Sequence, residues 1–90
     1  MTKAAVAGLT RGLARDLGAR RITVNTLQPG PIDTDMNPAD GPLADMMKST
    51  IALARFGQAD EVASLVSYLA GPQAAFITGA SLTIDGGYNA

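Results

Sequence analysis

The sequence predicts an α/β fold built around a parallel strand pair, and three observations carry that prediction. First, two β-branched runs, residues 22–27 (Ile-Thr-Val-Asn-Thr-Leu) and 81–85 (Ser-Leu-Thr-Ile-Asp), stand far apart in the chain. Second, the stretch between them holds a clear helical period at 60–70, enough for the crossover that parallel strands require. Third, the first run leads directly into Gln28-Pro29-Gly30-Pro31-Ile32-Asp33-Thr34. A strand end, a proline-stiffened turn, then backbone amides and a hydroxyl suit the mouth of an open α/β sheet, where such folds bind ligands.

The elements follow in order. Residues 2–17 read as a helix with Ala5, Leu9, Leu13 and Leu17 on an i, i+4 stripe. A second stripe of small residues, Ala4, Gly8 and Gly12, runs beside it. Interior glycines cost a helix about 1 kcal/mol each, so the pair suggests close approach by another backbone. No cap is expected at the start of this helix, and Gly18 is the natural stop. The run 22–27 is mixed rather than alternating, as in a strand buried on both faces. Residues 28–41 form a loop, and Pro42 opens a short helix reaching about 51 or 54. Its Leu43, Met46, Met47 and Ile51 suit either an adaptable lid or gap-filling core. A turn at 55–58 precedes the helix 60–70, with Val62, Leu65, Val66 and Leu69 on one face and acids at its start. Gly71-Pro72 ends it, a turn closes at Gly79, and strand 81–85 runs into Gly86-Gly87.

Composition bounds the function. The chain has 90 residues, 47% of them hydrophobic, with few aromatics. A body this small buries only about 60% of its unfolded surface, so the profile resembles the interior of a larger α/β protein and implies oligomerisation or further chain. The net charge is −1, and the basic clusters Arg11/Arg15 and Arg20/Arg21 are too small for nucleic-acid binding. No apolar run approaches membrane-spanning length, and nothing argues for secretion; a cytoplasmic protein is expected. Cysteine and histidine are both absent, which excludes thiolate nucleophiles and every Ser-His or Cys-His mechanism within these residues. Asp33, Asp35, Asp40 and Asp45 lack other ligand types and calcium-loop spacing; they read as solvated loop charge, and no metal site is expected.

Four short motifs stand in one register: Thr2-Lys3-Ala4-Ala5-Val6, Val24-Asn25, Pro29-Gly30-Pro31-Ile32-Asp33-Thr34, and Ile77-Thr78-Gly79 followed by Leu82-Thr83-Ile84-Asp85-Gly86-Gly87. Together they resemble the C-terminal portion of a short-chain dehydrogenase/reductase, nearest to the 3-oxoacyl-(acyl-carrier-protein) reductase type. The resemblance implies the C-terminal part of a Rossmann-like doubly wound parallel sheet, one partial domain over 1–90 with about two strands and three to four helices. It also implies NAD or NADP as cofactor in the intact family member and a small carbonyl or alcohol substrate, shaped by a loop at about 33–56.

By the same resemblance, Lys3 matches the lysine of the family's Tyr-x-x-x-Lys motif. There it would bond the nicotinamide ribose and lower the tyrosine pKa; one charge at ~4 Å and an effective dielectric near 20 is worth on the order of 4 kcal/mol. Pro29 and Gly30 match the turn after the family's penultimate strand. Ile32 and Thr34 match positions whose main-chain atoms and hydroxyl meet the nicotinamide carboxamide. Asn25 reads as structural, tying strand to loop. The matching tyrosine would fall two positions before Met1, and the family's serine, asparagine and glycine-rich phosphate motif are not among these residues. The 90 residues alone are therefore expected to be inactive and to bind no cofactor tightly. Their expected partners are a second copy or the missing N-terminal half. The alternative is a non-catalytic oligomerisation or interaction module, based on the small-residue stripe and the apolar face of the helix at 60–70.

Overall fold

The computed structural model describes residues 1–90. It contains helices α1 (Lys3–Leu17), α2 (Ala44–Ser49) and α3 (Ala59–Ala70) and strands β1 (Thr26–Pro29) and β2 (Ser81–Ile84), with 3-10 turns at Gly18–Arg20 and Pro72–Ala74. The two strands pair in one sheet. The Thr26 amide donates to the Ala80 carbonyl (2.9 Å) and the Gly30 amide to the Ile84 carbonyl (3.0 Å). Register thus advances in the same direction along both strands, which makes the pair parallel. This is the expected α/β fold, part of a Rossmann-like sheet. The residues group into two compact units, Met1–Gln28 with Ser67–Leu82 and Pro29–Val66 with Thr83–Ala90.

In the first unit, α1 is capped, contrary to expectation: the Thr2 hydroxyl oxygen accepts from the Ala5 amide at 3.1 Å. A threonine one residue before an alanine-rich run is a sufficient N-cap. The buried positions of α1 are Thr10 and Ala14, while Leu9 and Leu13 remain 51% and 38% exposed. Leu9 and Leu13 of the i, i+4 stripe are therefore turned out. The reason is close contact that admits only short side chains. Thr10 donates to the Val6 carbonyl (2.8 Å) and its hydroxyl bonds that of Thr26. A Cβ placed on Gly79 would lie 3.5 Å from the Ala14 Cβ. The backbone approach expected at Gly8 and Gly12 is not found, since nothing lies within 4 Å of a Cβ at either. The α-helix does end before Gly18, but that glycine stays right-handed (φ −61°) and opens a 3-10 turn; Arg21, at φ 60°, takes the left-handed position and donates its amide to the Gly18 carbonyl at 2.9 Å.

Strand β1 starts later than the β-branched run suggests because side chains replace the first rungs. The Val24 amide donates to the Thr78 hydroxyl oxygen (3.0 Å) and the Gly79 amide to the Val24 carbonyl (2.8 Å). Asn25 donates its Nδ2 to the Ile77 carbonyl and accepts from the Ala80 amide on Oδ1, both at 3.1 Å. Asn25 thus has the tying role expected of it. Regular pairing begins only at Thr26 and extends through Pro29, which was expected in the loop.

In the second unit, α2 is shorter than expected, confined to Ala44–Ser49. Pro42 and Leu43 precede it, and no side chain caps it. The core comprises Ala44, Ile51 and Phe56, with Ala39 and Met47 packed against it. Leu43 and Met46 lie 73% and 71% exposed, so the apolar residues of this segment divide between core and surface. Asp85-Gly86-Gly87 makes the expected tight turn, with Asp85 accepting from the amides of Gly87 (2.8 Å) and Asn89 (3.1 Å). Gly86 and Gly87 take φ of 63° and 87°, which favour glycine. No residue of α3 is buried, although Val62, Leu65 and Leu69 are partly covered.

Two glycines give opposite predictions. Gly30→Ala would place a Cβ 2.5 Å from the Asp85 Cβ and 2.8 Å from its Cα, so a loss of about 2 kcal/mol is expected. Gly8→Ala meets nothing within 4 Å and should add up to about 1 kcal/mol through helix propensity. Urea unfolding followed by circular dichroism measures both; a Gly30→Ala variant as stable as the parent would contradict the packing described here.

Candidate functional site

The site residues of the second unit follow from the pairing at the strand ends. Gly30 closes the ladder with Ile84, and the chain then bends into a second parallel contact, a bridge between Ile32 and Gly57. The Gly57 amide donates to the Pro31 carbonyl and the Asp33 amide to the Gly57 carbonyl, each at 2.9 Å. In such a bridge the central residue's own groups point to the opposite side of the segment. Ile32 therefore presents one N–H and one C=O, both without a partner in the chain. Thr34 and Asn37 exchange backbone hydrogen bonds of 3.3 and 3.1 Å. The Thr34 hydroxyl oxygen also accepts from the Asn37 amide at 3.2 Å, which leaves its proton free to donate. Donor, acceptor and hydroxyl together match the hydrogen-bonding pattern of a carboxamide.

Of the expected site residues, Pro29, Gly30, Ile32 and Thr34 all lie in this unit, on one continuous segment at the carboxyl end of β1. Lys3 lies in the other unit, exposed at the first position of α1. Asp33, expected to be solvated charge, instead accepts from the Ala39 amide at 2.9 Å and ties the loop to its own next turn. No group of three or more His, Cys, Asp or Glu side chains is placed to hold a metal ion.

The turn that supplies Gly57 is braced by Arg55 and Glu61. The guanidinium grips the carboxylate through two bonds, Nη1 to Oε1 at 2.8 Å and Nη2 to Oε2 at 3.1 Å. Arg55 Nη1 also donates to the Phe56 carbonyl at 3.2 Å, and Glu61 Oε1 accepts from the Gln58 amide at 3.0 Å. The hydrogen bond from Arg55, then that from the Gln58 amide, lowers the Glu61 pKa from 4.5 to about 2. The same partner raises that of Arg55. Asp85 is held below its ordinary value, first by the Gly87 amide.

One small cleft lies at the segment and a second in the loop that follows it. One of about 120 Å³ is lined by Ile32, Leu53, Arg55, Val62 and Ile84 among others. Another of about 260 Å³, in the 33–56 loop, is walled by Pro38, Pro42, Leu43, Met47 and Phe56. Both fall below the ~300–1,000 Å³ of sites that enclose a ligand.

A family model described as enoyl-(acyl carrier protein) reductase matches residues 1–89. The cyclic-di-GMP-binding biofilm dispersal mediator protein of Escherichia coli K12 is 58% identical over 89 residues, covering 99% of this chain and 38% of that protein. The 3-oxoacyl-(acyl-carrier-protein) reductase of Pseudomonas aeruginosa is 47% identical over 87 residues, covering 94% and 35%. The chain belongs to the short-chain dehydrogenase/reductase family. It corresponds to the C-terminal portion of that family and spans little more than a third of these relatives' length. Among solved structures, a short-chain dehydrogenase from Burkholderia cenocepacia J2315 in complex with NADP superposes with a TM-score of 0.88 at 58% identity, covering 98% of this chain and 36% of that one.

Within this short-chain dehydrogenase/reductase segment, sequence reasoning missed Arg55, Gly57 and Glu61, taking 55–58 only as a turn. A signal was present: Gln58 and Glu61 stand at the N-cap and N3 positions of α3, the spacing at which a glutamate accepts from the capping residue's amide.

The depressed Glu61 pKa has a fixed sign in solution. The group's contribution to stability is fully present above its unfolded pKa of about 4.5 and is lost as pH falls through about 2. Denaturant midpoints should therefore fall as pH drops from 5 to 2, with only a small part of that slope coming from this exposed pair; a Glu61 carboxyl that titrates by NMR in the ordinary glutamate range would exclude the pairing.

Proposed function

We propose that these residues form the nicotinamide-facing side and the substrate loop of an NAD(P)-dependent oxidoreductase acting on a carbonyl or alcohol carbon. The observation that carries this reading is the pair of main-chain groups on Ile32, turned away from the Gly57 bridge at the carboxyl end of a parallel strand. A carboxamide needs one donor and one acceptor held at fixed separation, and a segment stiffened by Pro29 and Pro31 holds them without reorganisation. When bound, a nicotinamide ring supplies the hydride donor or acceptor. Ile32 would hold its carboxamide, with the Thr34 hydroxyl as a further donor. Pro29 and Gly30 would set the course of the loop. Lys3 would hold the ribose and favour the ionised form of a neighbouring phenol supplied by protein outside these residues. The loop at 33–56, with its apolar cleft, would shape the substrate pocket.

The NADP complex of the Burkholderia relative supports this cofactor class. The absence of cysteine fits a cytoplasmic setting. No helix is long and apolar enough to cross a membrane. One feature favours a second reading, a non-catalytic interaction module: Leu9, Leu13 and Phe76 of the first unit are 51%, 38% and 102% exposed. Such surfaces call for a covering partner, either a second copy or the further length of chain that the relatives have.

The 90-residue chain alone should show no carbonyl-dependent oxidation of NADPH or NADH. Placed in the Burkholderia enzyme in exchange for the matching segment, it should restore NADPH binding and turnover. In that hybrid, Lys3→Ala should lower kcat/KM by about 10²–10⁴-fold. A folded, NADPH-binding hybrid indifferent to Lys3→Ala would overturn the assignment, and a discrete oligomer of the 90-residue chain that leaves the hybrid inactive would favour the module.

A further inference from the structure

The Arg55–Glu61 pair stands on the protein surface, where an isolated ion pair contributes little to global stability. Its local connections are more telling. Arg55 and Glu61 bracket Phe56, Gly57 and Gln58: they bond each other and hold the turn at two points on either side of Gly57, the Phe56 carbonyl and the Gln58 amide. Phe56, at 3% exposure, anchors the turn from the core side. Gly57, held between these ties, is the residue whose amide and carbonyl both bind the loop, at Pro31 and Asp33. Its bare Cα also seats the Ile32 side chain: a Cβ there would lie 2.8 Å from Ile32 Cδ1. Two proline residues flank Gly30, so between β1 and Asp33 the loop has few amides of its own with which to hold a course.

We infer that Arg55 and Glu61 are positioning residues: their bidentate clamp fixes Gly57, and through Gly57 it fixes the direction in which Ile32 presents its free N–H and C=O. This rests on the nicotinamide reading of Ile32 for its functional meaning, but the mechanical coupling is separate from it. Their effect on Ile32 passes through the two backbone hydrogen bonds of Gly57, to Pro31 and Asp33.

The test uses the 90-residue chain, its Glu61→Ala and Arg55→Lys variants, amide hydrogen exchange, and nicotinamide mononucleotide as probe. In the parent, the Gly57 and Asp33 amides are protected. In Glu61→Ala they exchange at least tenfold faster, and in Arg55→Lys, which keeps the charge but loses the fork, by a smaller factor. The Thr26 and Gly79 amides, bonded elsewhere in the chain, keep their parent rates. Millimolar nicotinamide mononucleotide shifts the Ile32 amide resonance in the parent, and Glu61→Ala weakens that response at least threefold.

Unprotected Gly57 and Asp33 amides in the parent, unchanged rates in Glu61→Ala, or equal acceleration at Thr26 and Gly79 each overturn the positioning role. A probe response identical in parent and Glu61→Ala overturns it as well. No Ile32 response in the parent overturns the nicotinamide reading and the functional role with it, while the exchange pattern still reports on the mechanical coupling.

Discussion

The approach of the two strand ends at Gly30 is the constraint on which the candidate site depends. Pro29 and Pro31 carry no amide hydrogen, so Gly30 is the one residue of the three that can donate to β2, and it does so to Ile84 at 3.0 Å. The bond brings the backbone so near Asp85 that no side chain fits at this position. From that point the loop has two further fixed points, the Pro31 carbonyl and the Asp33 amide, both on Gly57. Ile32 lies between them and inherits its orientation from them. A parallel strand end, a glycine contact and a bridge to a remote turn thus give this proline-rich segment a directed donor and acceptor.

Little apolar burial supports this arrangement. The buried apolar residues are Ala14, Ala44, Ile51, Phe56 and Ala74, and no large side chain is fully enclosed. Polar ties take over locally, above all the two bonds of Asn25 and the paired hydroxyls of Thr10 and Thr26. Each such bond contributes a net ~0.5–1.5 kcal/mol, against ~1–2 kcal/mol for fixing a single residue's backbone. Those ties specify geometry more than they supply stability. A parallel pair has both faces to cover, and the exposed leucines of α1 are the counterpart of that demand: they are core-type residues without a core around them.

This also explains what the sequence could and could not disclose. The helices near 2–17 and 60–70 and the strand near 81–85 were legible because their periods and punctuation are local. The inward face of α1 was not. Leucines at 9 and 13 and the short residues at 10 and 14 repeat with the same spacing, and only the contacts to Thr26 and Gly79 decide between them. The start of β1 was misplaced because a β-branched run says nothing of Thr78 and Asn25 taking over its first rungs. The segment from Pro29 to Thr34 stood out by its chemistry and its family register. Gly57 did not, because its importance comes from a pairing between remote residues that leaves no local pattern. Lys3 was singled out only by its family register, since an exposed lysine at a helix start has no distinguishing mark of its own.

The division of labour at Ile32 follows from the same geometry. A ligand read through main-chain atoms places no demand on the side chain of the residue that reads it. The Ile32 side chain is accordingly free to serve packing, and it lies against the open face of Gly57. The presented main-chain groups and the anchoring side chain therefore occupy opposite sides of one residue. Substitutions at Ile32 that keep an apolar branch against Gly57 preserve the presented amide and carbonyl. A change at Gly57, which reads nothing itself, disturbs both, because it alters the bridge and the seat together. In this segment Ile32 is the more replaceable residue, and the glycine behind it carries the geometry.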